Sequence, residues 1–244
     1  MIQREPSGRK FDQIRPVTIE GNVNRYAEGS VLICSGNTHV LCTASIEEKV
    51  PPWLAGKGKG WITAEYSMLP RATHTRNKRE REKVTGRTQE IQRLISRALR
   101  SMVDLKKLGE RTIVVDCDVL QADGGTRTTS ITGGCVALAI ALEKLIREKK
   151  IAVGTIVDSI SAVSVGIRGE DVLVDLDYSE DSTCDVDMNF VMTGNGNFIE
   201  VQGTGEQKAF SKKDLYTMMD LASHALADIR DIQHQALKNF GIVV

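Results

Sequence analysis

Aromatic residues are scarce in this chain, making up 5% of its 244 positions. No CxxC pair joins any of the five cysteines, Cys34, Cys42, Cys117, Cys135 and Cys184. Their scatter and odd number argue against structural zinc and against a disulfide framework, and leave free thiols in a reducing compartment. Net charge is also missing, because Lys and Arg number 32 and so do Asp and Glu. A chain built for indiscriminate nucleic-acid binding is usually basic overall, so any such role must lie in how charge is distributed. No GxSxG elbow is present, and no Walker lysine follows a glycine loop, which removes a hydrolase serine and a P-loop. His39, His74, His224 and His234 show no metal-ligand spacing. No apolar run approaches the roughly 20 residues of a bilayer span. The start, MIQREPSGRKFDQIRP, is charged and lacks a signal-peptide core, so a cytoplasmic protein without a membrane partner is expected.

With 41% hydrophobic residues there is enough apolar material for one large domain or two small ones. The first part reads as short strands, at Val17 to Val23, Ser30 to Cys34 and His39 to Ile46. The last two are joined by the hairpin signal Ser35-Gly36-Asn37. Val50 to Trp61, VPPWLAGKGKGW, reads as a loop. Residues 88 to 105 carry a helical stripe of Ile91, Leu94, Ile95, Ala98, Leu99, Met102 and Val103. Thr112 to Leu120 is expected as a strand and Ile131 to Lys149 as a helix. Further strands are expected at Thr155 to Ile167, Val172 to Tyr178 and Val186 to Met192. Ser211 with Asp214 makes a capping-box start to a final helix over about 211–238. Early strands followed by strand–helix alternation predict a layered α+β or α/β fold.

Three segments could carry chemistry. In Gln121 to Gly134, QADGGTRTTSITGG, Gly124 and Gly125 let the backbone turn sharply onto a ligand. The following hydroxyls, Arg127 and a helix N-terminus suit a phosphate. The same residues also suit an ordinary glycine turn with a Ser/Thr cap. In VDLDYSEDSTCDVDMN the acids Asp175, Asp177, Glu180, Asp181, Asp185 and Asp187 fall close together. Strand alternation places Val186, Met188 and Phe190 toward the core, with Asp185 and Asp187 opposite. Carboxylates gathered at one strand end must hold a cation or take up protons, and Mg²⁺ fits; a solvated acidic hairpin is the plainer alternative. Arg71 to Arg87, RATHTRNKREREKVTGR, sets seven basic side chains against two acidic ones. It suits either an RNA backbone or a merely solvated surface, and without interleaved aromatics it gives no stacking platform.

Together these stretches resemble the ribonuclease PH family. The likeness is carried by RPVTIEGNV, AEGSVLICSGNTHVLCTASIEEKVP, GKGWITAEYSMLPRAT, GRTQEIQRLISRALRSMVDL, GERTIVVDCDVLQADGGTRTTSITGG, VLVDLDYSEDSTCDVDMNFVMT and FIEVQGTGE. They run in one order over roughly residues 9 to 210. The resemblance implies an α+β layered fold like domain 2 of ribosomal protein S5, with a mixed sheet and three main helices, forming a single domain over 1–244. It implies a homohexamer, a trimer of dimers. The implied activity is phosphorolytic 3′→5′ trimming of the 3′ end of precursor tRNA, releasing nucleoside diphosphates, with inorganic phosphate as co-substrate. By the same resemblance Arg87, Gly125, Thr126 and Arg127 bind phosphate. Asp181 and Asp187 hold Mg²⁺ (or Mn²⁺) and act catalytically, and Arg71, Arg76 and Arg79 bind RNA. Ser96, Thr129 and Gly134-Cys135 depart from the family's usual residues without touching these groups. The competing reading is a ring subunit of an exosome-like complex that binds RNA without cutting it; a metal-dependent hydrolytic nuclease is a third.

Overall fold

A computed structural model of the chain describes residue 4 and residues 8–80 and 83–242. Strands β1 (Val17–Gly21), β2 (Gly29–Ser35) and β3 (Thr38–Glu47) form an antiparallel meander with the expected turn. Strand β4 (Trp61–Met68) buries Ile62, Ala64 and Tyr66 in strict alternation. Helix α1 (Gly86–Arg100) follows, then the short α2 (Leu105–Leu108) and strand β5 (Thr112–Gln121). The long helix α3 (Thr126–Arg147) leads to β6 (Ile160–Arg168) and β7 (Asp171–Val174). A one-turn helix, α4 (Tyr178–Asp181), precedes β8 (Val186–Thr193), β9 (Phe198–Gly205) and the final helix α5 (Lys212–Lys238).

The strands make a five-stranded sheet, β1-β2-β3-β5-β4, and a four-stranded sheet, β7-β6-β8-β9. The first is mixed, because β4 runs parallel to β5 while β3 runs antiparallel to it. The second is antiparallel throughout. This is the α+β, mixed-sheet architecture with α1, α3 and α5 as its main helices.

Helix α3 ties the layers together. Val31 and Ile33 of β2, Cys42 of β3, Val115 of β5 and Ile160 and Ala162 of β6 all share its core. Gly133 permits that approach: a Cβ there would stand 2.5 Å from Ile33 Cγ2 and 2.9 Å from Cys42 Sγ. Strand β6 has apolar residues on both sides, since Val163, Val165 and Ile167 join a second core with Met218, Leu226 and Ile229 of α5. By length and composition α3 is apolar enough to cross a membrane, contrary to the expectation that no run approaches that size. Its residues are instead covered by protein, with 83% of the apolar window buried.

Several boundaries differ from the sequence reading. The stripe over 88–105 is interrupted after Arg100, because the Asp104 carboxylate accepts from Lys106 N and Lys107 N and starts α2. Met102 and Val103 remain buried just beyond α1. Helix α3 begins at Thr126 rather than Ile131, so Thr126 and Arg127 form its first turn. The strand expected over Val172 to Tyr178 stops at Val174, where Asp175 takes φ +55°. The strand expected from Thr155 starts at Ile160. Strands β4 and β9 had no counterpart in the sequence reading, and the loop at Val50 to Trp61 contains a 3-10 turn at Pro52–Leu54. The capping box of Ser211 and Asp214 is present at the start of α5.

Candidate active site

A cleft of about 890 Å³ opens between the Gly124–Arg127 loop, α4 and β8. Arg87, Gly125, Thr126, Arg127, Asp181 and Asp187 all line it. Two arginines forty residues apart, one aspartate from α4 and one from β8 are thereby brought to one cavity.

On the anion-receptive side, β5 ends at Gln121 and the chain turns through Gly124 (φ +73°) and Gly125 (φ +62°) into α3. Only glycine adopts this geometry without strain. A Cβ at Gly124 would also stand 2.6 Å from the Asp177 carbonyl carbon. Gly125 is the N-cap of α3, and no side chain caps the first turn, so amide donors face the cleft at the positive end of a 22-residue helix. Thr126 Oγ1 accepts from Tyr66 Oη at 2.8 Å, which fixes the loop to β4. Arg127 donates through Nη1 to Gln202 Oε1 at 3.0 Å and lies 3.5 Å from Glu90 Oε2. Gln202 donates in turn to Glu90 Oε1 at 2.8 Å, so α1 and β9 hold one edge of this guanidinium and leave the rest for a ligand. Arg87, in the first turn of α1, is exposed.

The acidic side is more selective than the sequence suggested. The expected gathering of acids does not form. Asp175 is buried against Arg15, and Glu180 is buried against Arg4 and Arg9. Asp177 caps α4 by accepting from Glu180 N, and Asp185 accepts from Gly169 N. Glu180 and Asp181 lie in the helical turn α4, not in a hairpin. Asp181 and Asp187 alone of the expected acids line the cleft. Asp187 sits between buried Val186 and Met188, as the alternation predicted.

Asp187 is pushed up to about 6, first by burial and then by the charge of Asp181, while Arg127 and Arg87 oppose the shift. Asp181 is raised too, by burial, against the pull of the same arginines. It is exposed on its outer side yet enclosed by the cleft walls. Asp187 Oδ1 is buried without a hydrogen-bond partner among the described residues. A crowded pair with an orphaned oxygen fits a proton or a hard divalent cation, and two carboxylates completed by substrate phosphates are a usual donor set for Mg²⁺.

Arg71, Arg76 and Arg79 do not line the cleft; their neighbours Thr73, His74, Thr75 and Asn77 do. All three are exposed, and Arg71 donates to the His74 carbonyl at 3.0 Å. Arg81 and Glu82 of the same basic run lie outside the described residues. Sequence reasoning overlooked Tyr66, Glu90, Gln202 and Glu206. Glu206 lines the cleft and pushes both aspartates upward. It also gave no role to His74, whose ring lies 6.2 Å from that of Tyr178 at the cleft mouth. The alternation that buries Tyr66 was the one available signal. The polar clamp on Arg127 joins residues too far apart in the chain to be read together.

Two sheets about a buried helix are an architecture shared with solved structures. The crystal structure of rice (Oryza sativa) Rrp46 superposes with TM-score 0.77 at 19% identity, covering 95% of this chain and 99% of that one. A structure of the Archaeoglobus fulgidus exosome with RNA bound to the active site gives TM-score 0.78 at 24% identity, covering 94% and 92%. The chain itself belongs to the 3′ exoribonuclease family, matching its domain 1 over residues 13–142 and its domain 2 over residues 158–225. It is 56% identical over 233 residues to Ribonuclease PH of Bacillus subtilis (strain 168), which spans 94% of this chain and 95% of that protein.

Proposed function

We propose that this protein is a phosphate-dependent 3′→5′ exoribonuclease that shortens RNA by phosphorolysis. The observation that carries the reading is the shared cleft, in which an anion-receptive helix start with two arginines faces a pair of carboxylates. A hydrolytic nuclease needs the acids but has no use for the second anion pocket.

Inorganic phosphate is assigned to Arg87, Arg127 and the Gly125–Thr126 amides, where each guanidinium can offer paired donors to its oxygens. One oxygen of that phosphate attacks the phosphorus of the last nucleotide. The bond from phosphorus to the 3′ oxygen of the preceding residue breaks, and that oxygen takes a proton. The products are a nucleoside diphosphate and an RNA one nucleotide shorter. Two anions are crowded together, so orientation and charge neutralisation by these residues dominate the rate. The Asp181–Asp187 pair would hold Mg²⁺ (or Mn²⁺), which when bound polarises the scissile phosphate. The proton taken by the departing oxygen is assigned to one of these two aspartates, both of which burial raises.

Arg71, Arg76 and Arg79 are assigned to the RNA backbone leading into the cleft. The substrate is assigned as the 3′ end of precursor tRNA in the cytoplasm. The working assembly is assigned as a homohexamer and each chain as one folding unit, which a single unfolding transition would support. Incubating the protein with oligoadenylate, Mg²⁺ and phosphate decides the chemistry. Diphosphates are expected; monophosphates would mean hydrolysis, and intact RNA would mean a scaffold, either of which refutes the reading.

A further inference from the structure

We propose that Arg15 is a positioning residue that holds the phosphate loop at a fixed distance from the carboxylate pair; this rests on the reading of the cleft given above. Arg15 is 5% exposed and does not line the cleft. Its Nε donates to Asp175 Oδ2 at 3.0 Å and its Nη2 to Asp175 Oδ1 at 2.7 Å, a side-on pair. Its backbone N–H donates to Asp175 Oδ2 at 2.7 Å. The remaining arm, Nη1, donates to the Asp123 carbonyl at 2.5 Å. One guanidinium thus grips two segments that lie 108 and 160 residues away in sequence.

Both segments lead straight into the site. Asp123 immediately precedes Gly124 and Gly125. Asp175 opens the link to α4, which carries Asp181. Asp175 holds a left-handed backbone, φ +55°, that residues other than glycine rarely adopt unless their surroundings fix it. Its surroundings do so: its N–H donates to the Ser164 carbonyl at 2.7 Å, and its own carbonyl accepts from Arg9 Nη1 at 3.1 Å. The two segments also touch directly, since Asp123 Oδ1 accepts from Tyr178 N at 3.3 Å. Gly124 rests on Leu176 and Asp177 with no room for a Cβ. Arg15 bonds to both segments by charge-assisted contacts, and its planar fork can do so where a lysine ammonium reaches only one. Displacing either half by about 1 Å is enough to slow an in-line transfer strongly.

The test compares full-length wild type with Arg15→Lys and Arg15→Ala in phosphorolysis of oligoadenylate. Both variants are expected to lose about 10- to 100-fold in kcat, with a raised KM for phosphate and an unchanged Kd for the RNA. Added guanidinium ion is expected to restore part of the rate to Arg15→Ala only. Folded variants with wild-type kcat and KM, and merely a lower melting temperature, would overturn the positioning role while leaving the cleft assignment intact. A wild type that releases no diphosphate would instead sink that assignment, and this inference with it. Hydrogen exchange on the wild type gives a second reading that needs no variant. Phosphate should slow exchange at residues 175–181 as well as at 123–129, and protection confined to 123–129 would count against the coupling.

Discussion

Replacing Arg127 by Ala tests the anion pocket most directly. Its guanidinium has five N–H donors, and one nitrogen is already engaged by Gln202 and Glu90. A paired contact from the free edge to phosphate amounts to two charged hydrogen bonds, each contributing about 1.5–3 kcal/mol. The side chain keeps 21% of its exposure, so water recovers part of that when the arginine is removed. Halving the sum leaves about 1.5–3 kcal/mol, a rise in the KM for phosphate of about 10- to 140-fold. Initial rates of diphosphate release against phosphate concentration, at fixed RNA and Mg²⁺, read this directly. Arg127→Lys should fall between wild type and Arg127→Ala, because it keeps a charge but loses the fork. An unchanged phosphate dependence in a folded Arg127→Ala protein would refute the pocket.

Asp187→Asn should bring turnover to near background while the RNA dissociation constant stays at its wild-type value; near-normal kcat in the purified variant would contradict its catalytic role. Burial alone would push the Asp175 carboxyl up, but Arg15, through its charge and hydrogen bonds, and then Arg9 hold it below the usual carboxylate range. A lowered folded pKa contributes stability that is fully present above the unfolded value near 3.9 and is lost as pH falls below it. Asp175→Asn should therefore lower the urea unfolding free energy by about 3–5 kcal/mol at pH 7, since it strands a buried arginine. The gap to wild type should narrow below about pH 4, and equal stability at pH 7 would discard the account.

The long helices were legible because their apolar stripes are long: Ile91 to Leu99 could hardly be anything else. Asp187 was legible for a related reason, since Val186, Met188 and Phe190 declare the pleat. Strand β9 was not, because it sits at a sheet edge with half-exposed positions and two glycines, and so carries no apolar run. The acidic cluster misled because proximity in sequence says nothing about who neutralises whom. Glu180 and Asp175 find Arg4, Arg9 and Arg15 from the far end of the chain, which ties up two of the six acids away from the cleft. The same distance hid the clamp of Glu90 and Gln202 on Arg127.

The bare first turn of α3 has a consequence for the molecule as a whole. Most helices find their N-terminal partner in a neighbouring serine or aspartate, whereas this one begins at a glycine with nothing to offer. On the proposed reading, the helix that both sheets lean on would borrow its cap from the co-substrate. The chain should be at its most settled when loaded, and heating it with and without phosphate would feel the difference far from the cleft.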